Sequence, residues 1–174
     1  MAKMCIGVLS DTHGNRRAFE RALEAMGAVD LLLHAGDFAN DAIVMGNMYG
    51  IPVQTVAGNC DFFGTAEEAK LFEIAGHTIL LVHGHRQHVK SGLEELYEAG
   101  CANGADICIF GHTHCHEIEW RGNMVLINPG SPSQPRGSKP SCIRMMLEDG
   151  IPPDIQLLIC LLYTSPSPRD GATS

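Results

Sequence analysis

The chain alternates short apolar runs with amphipathic stretches. CIGVLS at 5–10 is a near-continuous apolar run that reads as a buried strand. A helix is expected over 15–26, with Asn15 as N-cap, Phe19, Ala22, Leu23 and Met26 on one face, and Gly27 as its stop. LLLHA at 31–35 is a second strand, a helix of looser pattern follows near 41–49, and VQTVA at 53–57 is a third strand. LFEIAGHTILLV at 71–82 divides into two strands at the tight turn Ala75-Gly76. Ser91 and Glu94 have capping-box spacing ahead of a helix carrying Leu93, Leu96 and Tyr97, which Gly100 would end. DICIF at 106–110 is another strand, and CHEIEWRGNMVLIN at 115–128 is a hairpin turning at Arg121-Gly122-Asn123. Segments 141–148 and 155–162 read as closing strands. Strands interleaved with helices specify an α/β domain.

The polar residues are not scattered over this pattern. Five apolar runs each end in a polar cluster: Asp11-Thr12-His13, Gly36-Asp37, Gly58-Asn59-Cys60-Asp61, His83-Gly84-His85 and Gly111-His112-Thr113-His114. Ligands of open α/β sheets bind just outside the carboxyl ends of strands. Five such ends would bring Asp11, His13, Asp37, Asn59, His83, His112 and His114 into one crevice. Each motif alone has an ordinary reading as a turn or a surface histidine; the set on one side of the strands reads as metal ligands. Structural zinc prefers closed Cys/His sets of four at short spacing. These seven donors mix carboxylate, amide and imidazole, too many for one four-coordinate ion and about right for two.

Composition narrows the choice of partner. The 174 residues suffice for one domain, assigned to 1–162. Residues 163–174, YTSPSPRDGATS, carry no apolar periodicity and read as a disordered tail or non-native scar. With 20 acidic residues against 12 basic ones, the net charge of −8 argues against stable nucleic-acid binding. The seven cysteines are odd in number, dispersed and without a C-x-x-C, which fits a reducing compartment, hence the cytoplasm. The N-terminal MAKMCIGVLSDTHG has too short an apolar stretch for a signal peptide or a membrane span.

The ordered series DTH (11–13), GD (36–37), GNCD (58–61), HGH (83–85) and GHTH (111–114), followed by NPGS (128–131), resembles the calcineurin-like metallophosphoesterase superfamily, in particular its small bacterial and archaeal phosphodiesterase branch. The likeness spans roughly residues 3–160. It implies a four-layer α/β/β/α sandwich, two mixed β-sheets packed face to face and flanked by helices. It also implies one metal ion on Asp11, His13, Asp37 and His114, and a second on Asp37, Asn59, His83 and His112, so that Asp37 bridges them. Oxygen and nitrogen donors suit manganese, the first expectation, or nickel, cobalt, iron or zinc.

The activity so implied is hydrolysis of a small-molecule phosphodiester by a metal-bridging hydroxide, with Asn59, Cys60 and Asp61 as catalytic residues. Many family members carry a histidine where this chain has Cys60, and there it is thought to protonate the leaving alkoxide. A thiol is a poor hydrogen-bond donor, so slow turnover of poor leaving groups is expected. His85 and Arg136 are secondary candidates for substrate contact, and Arg86 could also touch phosphate. His34 reads as a satisfied core histidine and His116 as a solvent-facing strand residue. Homo-oligomerisation is compatible with the pattern. The rival reading is a non-catalytic scaffold on the same fold, as in the retromer subunit that resembles this family but lacks a complete ligand set.

Overall fold

Successive side chains of a strand point to opposite faces, and here both faces are buried. In β1 (Lys3–Leu9), Ile6 and Val8 join one apolar cluster while Leu9 joins another. The computed structural model describes residues 3–59, 61, 67–136 and 139–160. Its elements run α1 (Arg16–Met26), β2 (Leu31–His34), α2 (Ala39–Tyr49), β3 (Val53–Thr55), β4 (Ala69–Ile74), β5 (His77–Val82) and α3 (Glu94–Ala102). β6 (Ile107–Ile109), β7 (His116–Arg121), β8 (Met124–Pro129), β9 (Ser141–Glu148) and β10 (Ile151–Ile159) complete the described chain.

The strands form two five-stranded sheets, ordered β10-β9-β1-β2-β3 and β4-β5-β6-β8-β7. Both are mixed: β1, β2 and β3 are parallel, as are β5, β6 and β8, while the outer pairings are antiparallel. One cluster lies between the sheets, drawing Ile6, Val8, Leu31, Leu33, Ile143 and Met145 from the first and Ile79, Leu81, Ile107, Ile109, Val125 and Ile127 from the second. The alternate residues Leu9, Leu32 and Cys142 pack with Phe19, Ala22 and Met26 of α1 and with Ala42 and Met45 of α2. On the far side, Leu80, Val82, Cys108, Phe110 and Leu126 pack with Leu96 of α3. The layers are therefore helix, sheet, sheet, helix. Each fully buried Ile or Leu contributes about 1.5–3 kcal/mol, and the inter-sheet cluster is the largest of the three.

Several boundaries differ from expectation. Asn15 does cap α1, its Oδ1 accepting the Ala18 N–H at 3.0 Å, and Gly27 follows with φ 72°. The Ser91/Glu94 capping box does not form: Ser91 lies in a 3₁₀ turn, Val89–Ser91, and Gly92 at φ 138° separates it from α3. Leu93 then flanks α3 with no side-chain cap. α3 also runs past Gly100, where an added Cβ would lie 2.6 Å from Cys108 Sγ and 2.9 Å from Met124 Cε. That glycine permits close packing on the sheet instead of ending the helix. α2 starts at Ala39, ahead of the expected 41, and the last strand occupies Ile151–Ile159 instead of 155–162. The tail assigned at 163–174 and the position of Cys60 lie outside the described residues.

The parallel triplets bring their carboxyl ends to one edge of the sandwich. At the opposite end of β5, buried His77 bonds Asp106 Oδ2 through Nδ1 at 2.7 Å and the Glu148 carbonyl through Nε2 at 3.1 Å, linking the sheets. Among the described residues, no helix is long and apolar enough to cross a membrane. The described cysteines are free thiols.

Candidate metal centre

The chain must bend sharply as each strand ends, and it does so at the polar residues themselves. Asp11, His13, Asp37, His112 and His114 have φ of 57°, 49°, 60°, 71° and 63°, left-handed values that non-glycine residues adopt at a cost. Backbone bonds hold the ends together: the Asp11 N–H donates to the Gly36 carbonyl and the Gly111 N–H to the His83 carbonyl, each at 2.9 Å. Across the two sheets, the His112 N–H donates to Asp11 Oδ2 at 3.0 Å. Such concentrated strain persists only where the surrounding structure enforces it, and it marks this edge as functional.

The side chains converge. Asp11, His13, Asp37 and His114 each offer a donor atom, all within 4.8 Å of one another. His114 Nε2 lies 3.3 Å from Asp11 Oδ1, and His13 Nε2 lies 3.6 Å from Asp37 Oδ2 and 3.2 Å from His114 Nε2. His83 Nε2 lies 3.5 Å from Asp37 Oδ2, 3.8 Å from Asp11 Oδ1 and 3.0 Å from Asn59 Oδ1. The His112 ring sits edge-on to that of His83, centroids 5.0 Å apart. The seven predicted residues thus lie along one edge, with Asp11, His13, Asp37 and His114 as the tight donor cluster, His83 and Asn59 beside it, and His112 ring-to-ring with His83.

Hydrogen-bond chemistry shows what the cluster lacks. His83 Nδ1 faces the Ala35 carbonyl at 2.7 Å, and His114 Nδ1 faces the Gln134 carbonyl at 2.7 Å. A carbonyl only accepts, so each Nδ1 carries a proton and Nε2 is the ring nitrogen turned inward. There, Nε2 of His83 lies beside Asn59 Oδ1, and Nε2 of His114 beside the His13 ring nitrogen and Asp11 Oδ1. Asp11 Oδ1 is buried without a hydrogen-bond partner, whereas its Oδ2 accepts from the Ser10 hydroxyl at 2.6 Å as well as from His112. A buried carboxylate oxygen without a hydrogen-bond partner, ringed by the Nε2 atoms of three histidines, is unfavourable unless a cation lies among them. This donor set fits a divalent metal.

The acid–base balance agrees. Burial pushes the Asp11 carboxyl up, but His114, His13, His83 and the Ser10 hydroxyl together hold it well below the ordinary carboxylate range. The Asp11 carboxylate beside it raises the His114 pKa against the effect of burial. A proton on His114 and a metal ion thus compete to neutralise the same carboxylate. His112 is pushed down to about 4 by burial, with His83 and Lys90 adding to it, and its imidazole is neutral near pH 7.

Comparison with known proteins decides the family. The description "Calcineurin-like phosphoesterase superfamily domain" matches residues 4–150. The chain belongs to that superfamily. A probable metallophosphoesterase of Methanothermobacter thermautotrophicus is 38% identical over 150 residues, covering 83% of this chain and 87% of that one. The phosphodiesterase YfcE of Escherichia coli is 30% identical over 164 residues, covering 80% and 85%. A crystal structure of a predicted phosphoesterase from Streptococcus pneumoniae superposes with a TM-score of 0.78 at 28% identity, covering 95% of each chain.

The remaining predicted residues have definite places around this centre. Asp61, expected among the catalytic groups, has both carboxylate oxygens on backbone amides: Oδ1 accepts from Phe38 at 2.8 Å and Ala39 at 2.9 Å, Oδ2 from Gly58 at 2.7 Å and Asp37 at 3.0 Å. It therefore caps α2 and fixes the Asp37 turn, which is why that helix begins early. Gly58 must lack a side chain, since a Cβ there would collide with the Asp37 carboxylate. The Arg86 guanidinium is gripped by Glu68 through Nε at 2.8 Å and Nη2 at 2.9 Å, on the surface. His85 packs its ring 5.4 Å from His83 and 6.1 Å from His112. Arg136 is exposed, and its backbone N–H donates to the His114 carbonyl at 3.0 Å.

Sequence reasoning missed the buried polar brace behind the ligands. Asn128 Nδ2 donates to Thr113 Oγ1 at 2.8 Å and to the Gly111 carbonyl at 3.2 Å. The Ser131 hydroxyl donates to the Asp11 carbonyl at 2.9 Å, and that of Ser133 to the Thr12 carbonyl at 3.0 Å. The NPGS stretch was the available signal: its polar side chains hold the DTH and GHTH turns. His34 is the expected core histidine, with Nδ1 accepting the Gly36 N–H at 3.1 Å and Nε2 bonding Thr12 Oγ1 at 3.0 Å. His116 opens β7, half-buried.

Proposed function

We propose that this chain is a dinuclear-metal phosphodiesterase acting on a small-molecule phosphodiester in the cytoplasm. The observation that carries the reading is Asp11 Oδ1, buried without a hydrogen-bond partner and faced by Nε2 of His13, His83 and His114. Asp11, His13, Asp37 and His114 would hold one ion, and Asp37, Asn59, His83 and His112 a second, with manganese favoured over nickel, cobalt, iron or zinc. When bound, the two ions supply an activated water nucleophile and neutralise the phosphate oxygens during in-line displacement. The chain's part is to orient the ligands: the Ala35 and Gln134 carbonyls fix two imidazole tautomers, and Asp61 fixes the turn carrying Asp37. Asp61, with its oxygens on four amides, acts by positioning and not by proton transfer.

The test is hydrolysis of bis-p-nitrophenyl phosphate by protein loaded with each of the five metals. Metal-dependent turnover lost in Asp37→Ala supports the enzyme. Absence of turnover with every metal contradicts it and favours the non-catalytic scaffold.

A further inference from the structure

Beside the metal ligands stands a large apolar side chain that the chemistry above does not use. Phe38 follows Asp37 directly, is 39% exposed, and has φ 74° and ψ 52°. Left-handed backbone is rare for bulky residues, and an outlier of this kind at a functional edge calls for a reason. Asp61 enforces it, since the same Oδ1 that caps Ala39 accepts the Phe38 N–H at 2.8 Å. The consequence is the direction of the ring. It lies 5.6 Å from the His13 ring at an interplanar angle of 51°, and it covers Gly14, where an added Cβ would reach it at 3.5 Å.

We propose that Phe38 is a specificity-determining wall of the substrate site, stacking against an aromatic ring carried at or near the ester oxygen of the phosphoester. This deepens the proposed function and rests on it: the phosphoryl group sits at the metal ligands, and the ring of the same substrate lies on Phe38. Aromatic pairs prefer offset or tilted arrangements with centroids 4.5–7 Å apart. The His13 ring itself lies in that range of Phe38, at 5.6 Å, so a ring linked through one ester oxygen to a phosphorus beside His13 would be brought to the same face. Aryl phosphoesters are then preferred over alkyl ones by recognition as well as by leaving-group quality.

Two non-hydrolysable probes separate these effects. Phenylphosphonate and methylphosphonate are titrated calorimetrically into manganese-loaded wild type, Phe38→Ala, Phe38→Leu and Phe38→Tyr, with metal content measured for each. Wild type should bind phenylphosphonate about 3–10-fold more tightly than methylphosphonate. Phe38→Ala should abolish the preference while keeping its metal, Phe38→Leu should keep only a fraction, and Phe38→Tyr should retain it. If wild type holds metal and methylphosphonate but shows no phenyl preference, or if Phe38→Ala retains the full preference, the aromatic wall is wrong and the metal reading stands. If wild type takes up no metal, both readings fall together.

Discussion

Asp61 Oδ2 accepts the backbone N–H of Asp37 at 3.0 Å, so one carboxylate sets the conformation of another 24 residues earlier in the chain. The dependence is steep because Asp37 occupies left-handed backbone at φ 60°, which the local sequence does not favour on its own.

Replacing Asp61 by Asn leaves one acceptor oxygen and places an NH₂ donor against backbone N–H groups. Metal affinity is expected to fall about 10–100-fold, the usual effect of losing a group that orients ligands. Chelator competition against wild type measures it; unchanged affinity in a folded Asp61→Asn protein contradicts the positioning role.

Asn128 is buried and bonds the Gly111 carbonyl, Thr113 Oγ1 and the Gly130 N–H. Asn128→Ala leaves the buried Gly130 N–H without its partner, while the Gly111 carbonyl keeps the Thr113 N–H and Thr113 Oγ1 keeps its bonds to Cys115; the loss costs about 1–3 kcal/mol. For a domain of this size the thermal midpoint should drop by about 3–10 °C. A shift under 1 °C in a thermal melt refutes the brace.

His34 gives a pH dependence of stability. Burial, outweighing Asp11 and Asp61, depresses its pKa from 6.5 to about 4. Between those values the unfolded chain binds a proton that the folded chain does not. Stability is therefore full above pH 6.5 and declines as pH falls toward 4, by at most roughly 3 kcal/mol. Urea unfolding of metal-free protein at pH 7 and pH 5 should show the decline in wild type and a shallower one in His34→Gln. Identical slopes contradict it.

Cys60 follows Asn59 where family relatives commonly place a histidine. If the missing imidazole limits protonation of the leaving oxygen, Cys60→His should accelerate hydrolysis of an alkyl diester at least about tenfold more than that of a p-nitrophenyl diester. Equal acceleration of both substrates rules out the missing proton donor.

Much of the centre was legible in the chain because parallel strands deliver their carboxyl ends to one edge, and Asp11, Asp37, His83 and His112 each stand just beyond a strand. The two-sided burial of Leu31, Leu32 and Leu33 was equally visible as an uninterrupted apolar run. Less legible was whatever depends on contact between distant segments. Gly100 resembles a helix stop until Cys108 and Met124 are seen pressing on it. Asp61 stands in sequence only as a member of the GNCD motif, and its bonds to the four amides around Asp37 become visible only in the fold. Ser131 and Ser133 resemble loop residues until their hydroxyls meet the carbonyls of Asp11 and Thr12, more than a hundred positions away. Local pattern encodes strands and their ends; hydrogen-bond partners are set by the tertiary fold.

The most direct test is metal stoichiometry, read by elemental analysis after manganese loading and gel filtration. Wild type should retain close to two ions per chain, and Asp37→Ala, which removes the shared ligand, less than one. Wild type holding no more than one ion, or Asp37→Ala holding both, contradicts a paired centre built on Asp37.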